Sequence, residues 1–295
     1  MENFLVSVRC ITPVLLTMCL GIWIRSWKLV PDEAFRQLST VCFHGLLPIQ
    51  LFYNTCHAEL TGTFSPKPLL FLMTATLLWF LFSYVLFTLR EPDRRLRGTY
   101  IQNAIRSNIA IVGISLAQIM MGPEGVTLMT IAVAVMVPTY NVLAVITLES
   151  CRGGHVSAKE TVGMVLKNPL IRGCALGALL LLLGIRLPQS VDQAVKNIGS
   201  AGSTMTLVAL GASLQLGGMW ANARKILFCN IYRLLLTPLV FVLAAIALGF
   251  RGDSLGVILL CAGAPIATSS YPMAIACDSD HELTAQVVVT TSLFF

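Results

Sequence analysis

The chain has 295 residues, 20 Lys+Arg against 14 Asp+Glu, a net charge of +6 and a mean hydropathy of +0.80, with 56% hydrophobic and 12% charged residues. Soluble domains carry roughly a quarter charged residues, so this balance excludes an ordinary soluble domain. A membrane-spanning helix takes roughly 20 apolar residues, so ten of them with short loops use the whole length and leave no room for a separate catalytic domain.

In chain order, ten hydrophobic runs lie near 4–24, 34–55, 69–89, 103–121, 125–148, 170–187, 197–216, 226–250, 254–277 and 283–295, each bounded by charge, Gly or Pro. All read as helices. The first is too long for a signal-peptide core and has no small-residue cleavage site, so it reads as a retained span. The last stops at Phe295 after about half a bilayer and is expected to be truncated. Alternate loops separate by charge. Arg25, Lys28, Arg36, Arg90, Arg94, Arg95, Arg97, Arg106, Arg152, Lys159, Lys167, Arg172, Arg224, Lys225 and Arg233 fall on one side, and Arg9, Lys67, Arg186, Lys196 and Arg251 on the other. The richer side faces the cytoplasm, which places both termini outside and the loop 150–168 inside a cytoplasmic membrane. Topology thus accounts for the basic balance without a nucleic-acid partner. The 9 cysteines are scattered with no C-x-x-C pair, which reads as small packing residues, with no metal site or cofactor expected.

Cutting at the long inner loop gives a first five-helix repeat over 1–149, a linker over 150–168 and a second repeat over 169–295. Five is odd, so the halves run in opposite senses, as in many secondary transporters. The fold class expected is all-α, ten transmembrane helices in two inverted repeats, with interrupted and crossing fourth and ninth helices. The fourth run, SNIAIVGISLAQIMMGPEG, is rich in small and polar residues. The ninth, CAGAPIATSSYPMAIACDSD, carries Pro265 and Pro272 around Thr268, Ser269 and Ser270. Proline removes a backbone donor, and backbone groups freed at membrane depth are tolerated only where they line a polar cavity or are buried in protein. Half-helix N-termini there attract anions.

At these residues the chain resembles the auxin efflux carrier family, which includes plant PIN-type exporters and bacterial dicarboxylate permeases. The resemblance runs over nearly the whole chain, from LLPIQLF (46–52), through SNIAIVGISLA (107–117) and the P-x-x-N of Pro138 to Asn141, to NPLI (168–171), VALGASL (208–214) and APIATSSYPMA (264–274). It implies an elevator-type carrier of organic anions, with a scaffold made of the first two spans of each half, a mobile unit made of the last three, and a homodimer through the scaffold. It also implies that Asn108 binds carboxylate, as an amide that donates without bringing charge into the membrane. Where the family usually has proline two residues after the glycine, this chain has Ser115, so the first crossing is expected to hinge at Gly113, with the Ser115 hydroxyl as a ligand. The substrate site expected is Asn108, Gly113, Ser115, Asn141, Pro265, Ser269, Ser270 and Pro272.

No Asp or Glu falls mid-span, which disfavours a cation exchanger built on buried carboxylates. His44, near the centre of the second span, and Arg233, about two turns past Lys225, are coupling candidates; a packing role for His44 and snorkelling for Arg233 are the plainer readings. Thr204, Thr206 and Ser213 read as small residues for helix packing. The function expected is a secondary carrier of a small-molecule carboxylate amid membrane lipid, with proton or sodium as coupling ion. The alternatives are a sodium-coupled organic-anion symporter of the bile-acid type and a ligand sensor without transport; an enzyme is not expected.

Overall fold

Within a bilayer the backbone must satisfy its own polar groups, and the long apolar runs accordingly fold as helices. A computed structural model of the chain describes residues 2–58, 66–152, 158–214 and 216–295, and all regular structure among them is helical. The first half runs α1 (Glu2–Ser26), α2 (Asp32–Val41), α3 (Leu47–Cys56), α4 (Lys67–Arg90), α5 (Arg94–Ile105), α6 (Ile114–Met120) and α7 (Gly122–Cys151). A wide π-turn at Cys42–Leu46 joins α2 to α3, and another at Ile109–Gly113 leads into α6. Then come α8 (Ala158–Lys167), α9 (Pro169–Leu182), α10 (Gln189–Ser213), α11 (Leu216–Ala221), α12 (Ala223–Asn230), α13 (Thr237–Ala247), α14 (Gly252–Gly263), α15 (Ser270–Ala276) and α16 (His281–Phe294). A π-turn at Ile231–Leu236 makes α12 and α13 one continuous rod. Among the described residues three stretches, Lys67–Arg90, Gly122–Cys151 and Ala223–Ala247, are long and apolar enough to cross a membrane, and Ile11–Ser26, Pro169–Leu182 and Gly252–Gly263 are shorter apolar helices.

Local chemistry sets several boundaries. In the NPLI motif the Asn168 side chain accepts from Leu170 N at 3.0 Å and Pro169 occupies the first helical position, so the motif is the start of α9. Asp280 caps α16 in the same way, accepting from Leu283 N at 2.9 Å. Asp93 caps α5 through Arg95 N at 2.9 Å.

The helices sort into two packed groups. In the first, α1 lies along α10 and α3 along α9, while α10 also touches α2 and α3. Backbones approach closely there. A Cβ on Gly21 would sit 2.1 Å from the Val208 carbonyl oxygen, and one on Gly211 would sit 2.0 Å from that of Met18. Between α3 and α9, a Cβ on Gly173 or Gly177 would sit 2.4 Å from the Pro48 or 2.6 Å from the Phe52 carbonyl oxygen. Hydrocarbon gives helices no hydrophobic reason to associate, so contact at small residues supplies the packing instead. The second group holds α4 to α7 and α12 to α16, around a core that includes Leu72, Ile101, Ile109, Met129, Met136 and Ile258.

Two expectations are corrected. The fourth run was expected from 103, with Arg94, Arg95, Arg97 and Arg106 together in an inner loop. Instead a helix already begins at Arg94, and Arg106 is 3% exposed. The low hydropathy of α5 comes from Arg94, Arg95 and Arg97 in its first turn, and from Thr99, Gln102 and Asn103, which are buried against protein rather than facing lipid. Arg233 likewise does not snorkel; it is 2% exposed, inside the second group.

Candidate functional site

Two helices end and two begin at one point in the second group. α5 stops at Ile105 and α14 at Gly263, while the π-turn from Ile109 and helix α15 start a few residues later. In α14 the cause is visible in the sequence. A residue before proline is pushed out of the helical region, and Ala264, before Pro265, has φ −53 and ψ 149. In α5 no proline acts; Arg106 turns extended, with φ −80 and ψ 129. The two breaks hold each other. Asn108 N donates to the Pro265 carbonyl at 2.8 Å, and Ser107 Oγ donates to the Cys261 carbonyl at 2.9 Å.

Helix C-termini carry partial negative charge and N-termini partial positive charge. Arg233 answers the negative ends. Its Nη2 and Nε donate to Ala264 O at 2.8 and 3.1 Å, and further contacts run to Ala104 O at 3.4 Å and Cys261 O at 3.5 Å. The guanidinium is thus engaged in closing the carbonyl ends of α5 and α14.

Arg106 has a different setting. Its Nη2 donates to Asn141 Oδ1 at 3.0 Å and Ser269 Oγ at 2.5 Å, and its Nη1 faces the Met273 sulfur. Its Nε has no partner, and neither does Nδ2 of Asn108. No acidic group among the described residues pairs with Arg106. An unsatisfied buried donor calls for an acceptor that the protein does not provide.

Both residues line a cavity of about 80 Å³ between the two helix groups. One wall comes from the second group, with Arg106, Ser107, Asn108, Asn141, Thr268 and Ser269. The other comes from α3, α9 and α10, including Gln50, Asn54, Leu170, Ser203 and Thr206. The lining holds one cation and no carboxylate.

Of the residues expected at the site, Asn108, Asn141 and Ser269 line this cavity. Pro265 is adjacent, its carbonyl bonded to Asn108 N. Ser270 is fully buried beside it, with its hydroxyl unpartnered and its carbonyl accepting from Gln102 Nε2 at 3.2 Å. The others are displaced. Gly113 has ordinary helical angles, φ −65 and ψ −46, and abuts Met129, so it is no hinge. The break falls five to seven residues earlier, where the cross-bonds to α14 hold it. Ser115 donates to Ile111 O at 2.8 Å within its own helix and does not line the cavity. Pro272 sits in the first turn of α15, where no donor is lost, and lines no cavity wall. His44 is exposed, with Nδ1 3.0 Å from Thr40 O, away from the cavity. Thr206, expected to serve packing, lines the cavity, while Thr204 is exposed.

Arg106, Ser107, Gln50 and Ser203 were missed. The signal for Arg106 was present, since between Gly98 and Gly113 no Gly or Pro marks a loop end that would let an arginine out to solvent. Among the described residues no group of three His, Cys, Asp or Glu could hold a metal ion.

A family model described as membrane transport protein matches residues 6–164 and 156–295. A search of curated proteins finds no match.

Proposed function

From the chain's membership of the membrane transport protein family, to which it belongs over nearly its whole length, we propose that it is a secondary carrier of small organic anions. Within that family its motifs favour the auxin efflux carrier type. The observation that carries the anion reading is Arg106, a buried guanidinium with a free Nε and no acid partner, beside the free Asn108 amide, at a cavity where α15 begins. Charged groups at membrane depth are costly and mark substrate paths. Hydrogen bonds to a charged partner contribute about 1.5–3 kcal/mol, and a carboxylate would satisfy both idle donors.

The architecture proposed is two inverted five-helix repeats over 1–149 and 169–295, joined by 150–168. Supporting it is the recurrence of neighbours: α1 packs on α10 as α9 packs on α3, α4 on α5 as α13 on α14, and α6 on α7 as α15 on α16. An elevator motion would slide the second helix group along the first, with the cavity between them. The proposed location is the cytoplasmic membrane, with both termini outside.

The test is anion binding and uptake by the purified, reconstituted protein. Replacing Arg106 by Gln is expected to weaken carboxylate binding at least tenfold, since 1.4 kcal/mol is a factor of ten. Unchanged binding and uptake in that variant would overturn the anion reading.

A further inference from the structure

Resting on the anion reading above, we propose that the site selects a small monocarboxylate bearing a neutral hydrogen-bonding group, a hydroxyl or carbonyl, at its other end. The lining decides this. Arg106 is its single cation, on the wall formed by the crossing, and that wall supplies the donors for one carboxylate. The facing wall is uncharged, with Gln50, Asn54, Ser203 and Thr206 set among Leu47, Leu51 and Leu170. Gln50 Nε2 donates to Ser203 Oγ at 2.6 Å, and the same hydroxyl lies 2.9 Å from Gln50 Oε1. This amide and hydroxyl pair spans α3 and α10, and both residues line the cavity. An amide retains a second N–H and a further acceptor lone pair after this pairing, so it can both donate to and accept from a ligand.

Charge decides against a dicarboxylate. One carboxylate cancels Arg106, whereas a second would lie against Gln50 and Ser203 with no counterion among the residues that line the cavity. A purely aliphatic acid fails in the opposite way, because it would cover the second N–H and the spare acceptor lone pairs that Gln50 and Ser203 keep after pairing with each other, and offer them nothing. A site built to hydrogen-bond a hydroxyl rejects the analogue lacking it more strongly than an apolar site rejects an extra one.

The experiment is a binding titration of the purified, lipid-reconstituted protein with lactate, propionate, malonate and malate at pH 7.5. Lactate is expected to bind at least tenfold tighter than propionate and than either dicarboxylate. Gln50→Leu, or the smaller change Ser203→Ala should the first fail to fold, is expected to reduce the lactate preference over propionate to threefold or less. Tighter binding of malonate or malate overturns the proposal and leaves the anion reading standing. A lactate preference that survives both variants overturns the assignment to Gln50 and Ser203. Failure of all four acids to bind a folded protein overturns both readings.

Discussion

Two buried arginines at one crossing behave differently because their partners differ. Arg233 is saturated by carbonyl oxygens of Ala104, Cys261 and Ala264, so its loss would strand the ends of two helices. Unsatisfied buried acceptors cost about 1–3 kcal/mol each. Arg233→Met is therefore expected to lower the thermal unfolding midpoint sharply with or without anion, read by the loss of folded protein on heating. Asn108 presents the reverse case. Its Nδ2 has no partner in the protein, so Asn108→Ala removes little that holds the fold. The midpoint without ligand is expected to move by no more than ~0.5 kcal/mol equivalent, while the stabilisation a bound carboxylate confers falls away. A large drop in the unliganded midpoint would assign Asn108 to packing instead.

The close approach of α1 to α10 is a matter of whole helices. Gly211 lets the backbone of α10 reach the Met18 carbonyl, where a Cβ would stand 2.0 Å from the oxygen. Gly211→Val must push the helices apart, and overpacking of this kind costs typically 1–3 kcal/mol, to be read as a lower unfolding midpoint. Gly163 has nothing within 4 Å, and the same change there is expected to be nearly silent. Elements were also where the sequence was most unevenly legible. The break in α14 follows from Pro265 alone. The break in α5 does not, because Arg106 to Asn108 contains neither Gly nor Pro and is held open by bonds to Cys261 and Pro265, more than 150 positions away. Hydropathy also hid residues 94–102 of that helix, which open with three arginines and end in Gln102, buried by other helices. Asn108, Asn141 and Ser269 were legible because amides and hydroxyls stand out in apolar runs. Arg106 was not, because counting it with its loop neighbours placed it outside the membrane.

For the molecule as a whole, the cavity lies between a glycine-packed group and the group that holds the crossing, so each wall belongs to a different body. In the carrier proposed here the lone guanidinium travels with the second of them. Among the described residues Arg106 has no acid to neutralise it, and that would make the proposed carrier an electrical device. Loaded with a monoanion, the moving site has no net charge; empty, it carries one positive charge. A charge crossing the full field exchanges about 2.3 kcal/mol per 100 mV. In proteoliposomes with a clamped potential, exchange of internal for external substrate is expected to be fast and indifferent to voltage, while net flux is slower and voltage-dependent. Equal voltage dependence of both would contradict a single uncompensated charge. With the interior negative, the membrane draws the vacant positive site inward, where it can meet cargo again, so the resting potential itself would set this carrier to discharge anions from the cell.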